Sequence, residues 1–330
     1  MAQAFGRAGN PSAGPAARRY PRRRVTAFRH EALLYEGTDE FLAGGVPFIR
    51  EAIDAREPVM VAVGADKIGR LRATLPDGAA VAYADMSELG RNPGRIIPAW
   101  HEFLAAHGGA GPVRGIGEPI WAGRSADELV ECQLHEALLN VAFADTEDFH
   151  LLCPYDVAAL DDGVVHEARC SHPVVVARDA AHASHQFRGV EDPLAPFAAP
   201  LPRPPGAAET VAFERDTLDE LRRLVADRGG QAGLGQAKVQ DLVLAVNELA
   251  TNSVRHGGGH GILRMWREDE ALRFEVRDSG HIDDPLVGRR RRRSDDIGGW
   301  GVWIAHQVAD LVQVRSGPNG TVVRLRMRCA

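Results

Sequence analysis

Glu248, Asn252 and the pair Arg255/His256 recur at i, i+4 and i+7/i+8, the spacing that gathers side chains on one face of a helix. Glu248 is a candidate general base, and the amide oxygen of Asn252 is a candidate ligand for a hard cation. Leu242, Ala245, Val246, Leu249 and Ser253 fall largely on the other side, where they can pack against a sheet. Two glycine-bearing segments follow, Asp278-Ser279-Gly280 and Gly298-Gly299-Trp300-Gly301. Alone, the first is an ordinary turn and the second a common prelude to a helix. Downstream of a helix bearing a base and a metal ligand, they point to a nucleotide site, because backbone N–H groups at a helix start favour anionic phosphates.

The elements that must position these residues can be read from periodicity. The long helix runs over 236–256 and is closed by Gly257-Gly258-Gly259, as the glycine preference at helix C-termini predicts. A strand at 210–213 and a helix at 217–228 precede it. Strands at 261–266 and 272–277 flank a polar turn at 268–270. Five consecutive arginines occupy 289–293, a helix starts at Trp300, and strands at 311–314 and 321–326 enclose the turn Gly317-Pro318-Asn319-Gly320.

The first half alternates differently. Strands are predicted at 32–35, 58–63, 80–83, 113–116 and 149–153, and helices at 38–55, 67–75, 93–106, 125–143 and 164–170. Ser125 with Glu128 three residues on forms a capping box. Continuously apolar strands in regular β-α alternation imply a mainly parallel sheet covered on both faces. Four segments follow: a disordered basic arm at 1–27, an α/β domain at 28–187, a proline-rich linker without a core of its own at 188–208, and a second domain at 209–330.

Composition bounds the function. A chain of 330 residues with 45% hydrophobic and 25% charged content suggests two soluble domains. A net charge of -6 argues against nucleic acid as the main partner. Cys132, Cys153, Cys170 and Cys329 lack CxxC spacing, which fits reduced thiols in a cytoplasm. No apolar run of membrane-spanning length and no signal-peptide pattern occur, so no membrane contact is expected. The set Cys132, His135, Cys153, His166, Cys170 and His172 matches no zinc spacing, and buried thiols with capping histidines are expected.

The three segments of the second domain resemble the N, G1 and G2 boxes of the GHKL ATPase superfamily, and within it the anti-sigma-factor serine/threonine kinases of bacterial partner-switching systems. The resemblance covers 209–328 and implies a two-layer α/β (Bergerat) sandwich that binds ATP and Mg²⁺. It implies Glu248 as general base, Asn252 as the Mg²⁺ ligand, and Asp278 as acceptor of the adenine amino hydrogen. Gly280 would admit the base, and Gly298, Gly299, Trp300 and Gly301 would form the turn beneath the phosphates. Arg255 and His256 complete the nucleotide-facing side of the helix. The implied partners are an anti-anti-sigma (STAS-type) protein and a sigma factor, and related domains often form homodimers. Ile282 stands where the family usually has a second glycine, and the segment between the G1 and G2 boxes is short and arginine-rich. There is no helix pair bearing a phosphoacceptor histidine ahead of the domain, unlike in a sensor histidine kinase. An ATP-dependent binding switch without phosphotransfer and an atypical histidine kinase stay open as alternatives.

The first domain resembles the MEDS sensory domain over 28–175. The resemblance rests on His30 before Tyr35-Glu36, the strand at 58–63, Gly117-Glu118, Cys153-Pro154-Tyr155-Asp156 and His172-Pro173. It implies a RecA-like three-layer fold that senses a small molecule. No GxxxxGK[ST] is present, so no P-loop supports nucleotide binding here. His30, Glu118 and Tyr155 lie near predicted strand ends, where open parallel sheets place ligands.

Overall fold

In the computed structural model, which describes residues 28–107, 111–177, 180–290 and 300–329, the β-α alternation of the first half folds into one seven-stranded sheet. Its elements are β1 (Arg29–Tyr35), α1 (Gly37–Ala55), β2 (Val59–Val63), α2 (Ala65–Thr74), β3 (Val81–Asp85), α3 (Met86–Leu89), α4 (Ile96–His107), β4 (Val113–Gly117), α5 (Ala126–Ala142), β5 (Phe149–Asp156), α6 (Asp162–Ser171), β6 (Val174–Ala177) and β7 (Ala180–Ala183). The strand order is β3-β2-β4-β5-β1-β6-β7, parallel except for β7. Strand period 2 divides the apolar residues between two layers. Ala32 and Leu34 of β1 pack with Trp100 and Phe103 of α4 and Leu138 of α5, while Leu33 and Tyr35 pack with Phe41 and Ile49 of α1 and Leu71 of α2.

The second half forms an antiparallel sheet from β8 (Glu209–Glu214), β9 (His260–Glu268), β10 (Ala271–Asp278), β11 (Leu311–Gly317) and β12 (Gly320–Arg328), in the order β11-β12-β10-β9-β8. Helices α7 (Leu218–Gln231), α8 (Gln236–His256) and α9 (Trp300–Val308) cover one face, around Leu249, Phe274, Val302 and Leu325. This is the two-layer sandwich expected from the sequence.

Several details depart from the sequence reading. The helix expected from Pro93 begins as a single 3₁₀ turn, Pro93–Arg95, before α4. Strands β6 and β7 were not expected; β7 is exposed throughout and has no hydrophobic alternation to reveal it. The linker, though it has no core of its own, is tied to both domains. Phe197 is buried against the first core, and the carbonyl of Pro202 accepts a 2.7 Å hydrogen bond from Arg324. The basic arm and residues 291–299, which include Arg291, Arg292, Arg293, Gly298 and Gly299, lie outside the described residues.

The open face of the second sheet meets the first turns of α5. The outward face of β10 and β12 is rich in arginine: Arg324 stands opposite Glu275 and pairs with it at 2.5 Å, whereas Arg273 is directly opposite Arg326. Like charges so placed repel. Carboxylates of α5 lie among them: Asp127 accepts from Arg273 at 2.7 Å, Glu128 from Arg328 at 3.1 Å and from Arg326, and Glu131 pairs with Arg315 at 2.9 Å and Arg289 at 3.3 Å. The expected capping box is present, so Glu128 both caps α5 and binds the arginines.

The segment leading to Arg289 straddles both cores, since Leu286 packs into the first and Val287 against the second. Gly288 between them has φ +70°, and a Cβ there would lie 2.5 Å from Val302, so only glycine fits. Alongside, the Asn92 side chain donates to the carbonyls of His306 and Ala309, satisfying the open end of α9.

The His306 imidazole is buried in this seam, and burial, helped by the Arg289 guanidinium, holds its pKa well below the ordinary value. A histidine depressed in the folded state contributes stability above about pH 6.5 and loses it as pH falls below that value. His306→Gln is therefore expected to flatten the loss of stability between pH 7 and 5 by up to about 1.4 kcal/mol per pH unit. Denaturant midpoints across that range check this, and parallel curves for the two proteins would exclude it.

Candidate functional site

Helix α8 presents Glu248 and Asn252 one turn apart, both partly buried, while Leu249, Ala250 and Ser253 turn into the core. Its amphipathic period makes the core face anchor the polar face. Among the described residues, no side-chain hydrogen bond occupies either Glu248 or Asn252. The first turn of α9 lies directly against them. A Cβ on Gly301 would sit 2.4 Å from the Asn252 amide nitrogen and 3.2 Å from the Glu248 carbonyl, so glycine permits this approach. Trp300, beside it, is partly buried and its ring meets Trp303 edge-on. Arg255 and His256 are exposed in the last turn of α8.

Asp278 ends β10 next to the C-terminus of α8. Its Oδ2 accepts a 2.6 Å hydrogen bond from the Ser253 hydroxyl, and its Oδ1 accepts one of 2.8 Å from the Gly280 N–H. The Ser279 hydroxyl donates to the carbonyl of Gly257 at 2.8 Å, and the Thr321 hydroxyl donates to the carbonyl of Gly280 at 2.9 Å. The loop after Asp278 is thus tied to α8 on one side and to β12 on the other. Ser253 and Thr321 were not expected at the site. Ser253 reads as a packing residue by helical position, and Thr321 arrives through the register that sets it opposite Asp278.

The site residues fit a magnesium nucleotide. Each Asp278 oxygen uses one lone pair internally and keeps another, so the carboxylate can accept an amino hydrogen. Glu248 and Asn252 supply oxygen atoms, the ligands that hard cations prefer. The opening turn of α9 supplies N–H groups with no partner inside the helix.

The residues singled out in the first half divide into two places. Glu118, buried at the C-terminal end of β4, accepts from Tyr35 at 2.6 Å and from Lys67 at 2.5 Å, and burial raises its pKa against the pull of Lys67. His30 and Tyr155 lie instead beneath α5. His30 contacts Glu136 and Asn140, each at 3.1 Å, and burial lowers its pKa to about 4. Tyr155 meets the ring of His172 edge-on at 5.6 Å.

Comparisons with known proteins give each half of the chain a counterpart. Residues 29–173 match the family model of the MEthanogen/methylotroph, DcmR Sensory (MEDS) domain, and residues 211–327 that of the histidine kinase-like ATPase domain. No curated protein matches the chain. Among solved structures, the RsbU and RsbW domains of Rv1364c from Mycobacterium tuberculosis align at 19% identity with a TM-score of 0.29, covering 38% of this chain and 33% of that one. The Acinetobacter baumannii histidine kinase AdeS aligns at 12% identity with a TM-score of 0.22, covering 37% of this chain and 68% of that one. The chain thus joins a region that matches the MEDS sensory domain to one that matches the histidine kinase-like ATPase domain, a pairing that fits an ATP-binding signalling regulator.

Proposed function

We propose that the chain is a cytoplasmic anti-sigma-factor-type serine/threonine kinase. In this reading the ATPase domain, which begins at about 209 beyond the linker, phosphorylates an anti-anti-sigma partner of the STAS type and captures a sigma factor in alternation with it. The observation that carries it is the pairing of Glu248 and Asn252 on α8, without hydrogen-bond partners among the described residues, beneath the first turn of α9. Phosphoryl transfer needs positioning and charge neutralisation more than covalent chemistry, so one well-placed carboxylate is sufficient. Glu248 would accept the proton of the partner's hydroxyl, and Asn252 would hold Mg²⁺ through its amide oxygen. Bound Mg²⁺ would supply neutralisation of phosphate charge. Asp278 would read the adenine amino group, with Ser253 and Gly280 fixing its orientation.

The test is transfer from labelled ATP to a candidate STAS partner. Glu248→Gln is expected to lower the transfer rate by about 10²–10⁴-fold, the usual worth of a general base, with ATP affinity within about threefold of the parent. Equal transfer by the variant would remove Glu248 as the base. ATP binding with no acid-stable phosphoserine or phosphothreonine on any partner would favour a binding switch, and acid-labile phosphate on a histidine would favour a histidine kinase. The contact of α5 with Arg289 supports control by the sensory domain, because it joins that domain to the segment between the G1 loop and α9.

A further inference from the structure

We infer that the sensory domain holds a divalent transition-metal cation of the zinc class in a buried site built by His30, Glu136, Cys153 and His172. These residues come from β1, α5, β5 and the residue that ends α6, and all are buried, with relative exposures of 2%, 0%, 1% and 0%. One donor atom from each lies within 4.8 Å of all the others. Glu136 Oε2 is 3.1 Å from His30 Nε2 and 3.3 Å from His172 Nε2, and Cys153 Sγ is 3.4 Å from His30 Nε2. A tetrahedron with zinc–nitrogen and zinc–oxygen bonds near 2.0–2.2 Å and a zinc–sulfur bond near 2.3 Å has edges of roughly 3.3–3.8 Å. Three of the six donor pairs, at 3.1–3.4 Å, stand near that spacing, and the others lie within 4.8 Å.

Hydrogen bonds on the far side of each imidazole fix where its lone pair points. The Asn140 amide nitrogen donates to the carbonyl of Ser171 at 2.7 Å, which turns its oxygen toward His30 Nδ1 at 3.1 Å. That oxygen can only accept, so His30 carries its proton on Nδ1. His172 Nδ1 lies 2.7 Å from the carbonyl of Ala168, which likewise claims the proton. Both Nε2 atoms therefore offer lone pairs to the same carboxylate oxygen, itself an acceptor. Three acceptors facing one another in an apolar interior repel, and a cation between them relieves this more fully than the single proton of the Cys153 thiol, 3.4 Å from His30 Nε2. Outer partners that fix the tautomer in this way are the usual support of metal-binding histidines. His172 Nε2 and Glu136 Oε1 have no hydrogen-bond partner among the described residues.

The donor set selects the metal class. Two imidazoles, a thiolate and one carboxylate suit zinc and its neighbours, whereas magnesium and calcium require oxygen ligands. A divalent ion with a cysteine thiolate and a glutamate carboxylate is also neutral overall, which lowers the cost of burying it. The competing explanation is a proton: a neutral Cys153 thiol donating to His30 Nε2 would relieve part of the same repulsion without metal.

Metal analysis of the full chain, purified without an affinity tag from zinc-supplemented cells, distinguishes the two. One equivalent of metal per chain is expected. Chain unfolded in denaturant and refolded with Co²⁺ should show the intense visible bands of tetrahedral cobalt and a near-ultraviolet thiolate charge-transfer band. Cys153→Ser should abolish that band, and Glu136→Gln should bind Zn²⁺ at least about tenfold more weakly. His166→Ala, an exposed site on α6, should change neither. A parent chain that is metal-free as purified and gives only the pale octahedral cobalt spectrum overturns the inference. So does a charge-transfer band that survives in folded Cys153→Ser. If Cys153→Ser does not fold, metal content and the cobalt spectrum of the parent decide the matter.

Discussion

Asp278→Asn is expected to weaken ATP binding by about 10–100-fold while leaving the fold intact. The substitution separates the two tasks of this side chain. Its internal partners can adjust, because the Gly280 N–H still meets an oxygen. The Ser253 hydroxyl can turn its proton to the Leu249 carbonyl, 3.2 Å away, and accept from the new amide. What the amide cannot do at the Ser253-side position is accept the adenine amino hydrogen, for it presents a donor to a donor. A hydrogen bond to a charged group contributes about 1.5–3 kcal/mol, and each 1.4 kcal/mol is tenfold in affinity. Calorimetric titration with ATP and with GTP is the measurement. The variant should lose ATP affinity and lose preference for ATP over GTP, whose ring carries an acceptor where adenine carries a donor. Unchanged ATP affinity with an unchanged melting midpoint would mean that the base does not lie against Asp278.

The sequence made the scaffold of this site legible more readily than its wiring. The 21-residue helix α8 begins and ends where its apolar period and the glycine run after His256 place it, and the α5 capping box follows from Ser125 and Glu128 alone. Such features depend on neighbours three or four residues apart. The hydrogen bonds that orient Asp278 depend on sheet register and on a helix crossing, so Ser253 and Thr321 carried no local signal. The cluster under α5 was still less accessible. His30 and Glu136 are brought together from separate elements, and no short spacing relates the four side chains. The arginines of β12 did leave a trace: Arg324, Arg326 and Arg328 alternate along a strand whose other face is apolar. Such a row calls for carboxylates nearby, but only the fold shows that Arg324 meets Glu275 within the sheet and that Arg326 and Arg328 meet an acidic surface at the start of α5.

That surface bears the second large effect. Glu131→Ala is expected to cost about 3–5 kcal/mol of interdomain stability, the usual penalty for removing one partner of a buried ion pair. Glu131 is 1% exposed and Arg289 5% exposed, so ordinary salt screens their attraction little. Burial already pulls the Arg289 pKa below its usual value, with Glu131 opposing the shift. Without the carboxylate, Arg289 and Arg315 would face each other uncompensated, and the least costly relief is for the second sheet to leave α5. The chain should then open at the seam before either core melts, with a larger radius of gyration in solution scattering and faster proteolysis across 188–208. Glu131→Leu combined with Arg289→Met and Arg315→Met should recover most of the loss, since a packed apolar contact can replace a buried ion pair at little cost. A closed, protease-resistant Glu131→Ala protein would show that the arginines contribute nothing at this seam. The same variant addresses control of the ATP site. Arg289 lies ahead of α9 in the chain, and α9 sets Gly301 against Asn252, so release of Arg289 should speed nucleotide exchange. Glu136 lies five residues further along the same helix as Glu131, roughly 7.5 Å along its axis. A change at the buried cluster that shifts α5 would therefore reach Arg289 through one rigid element.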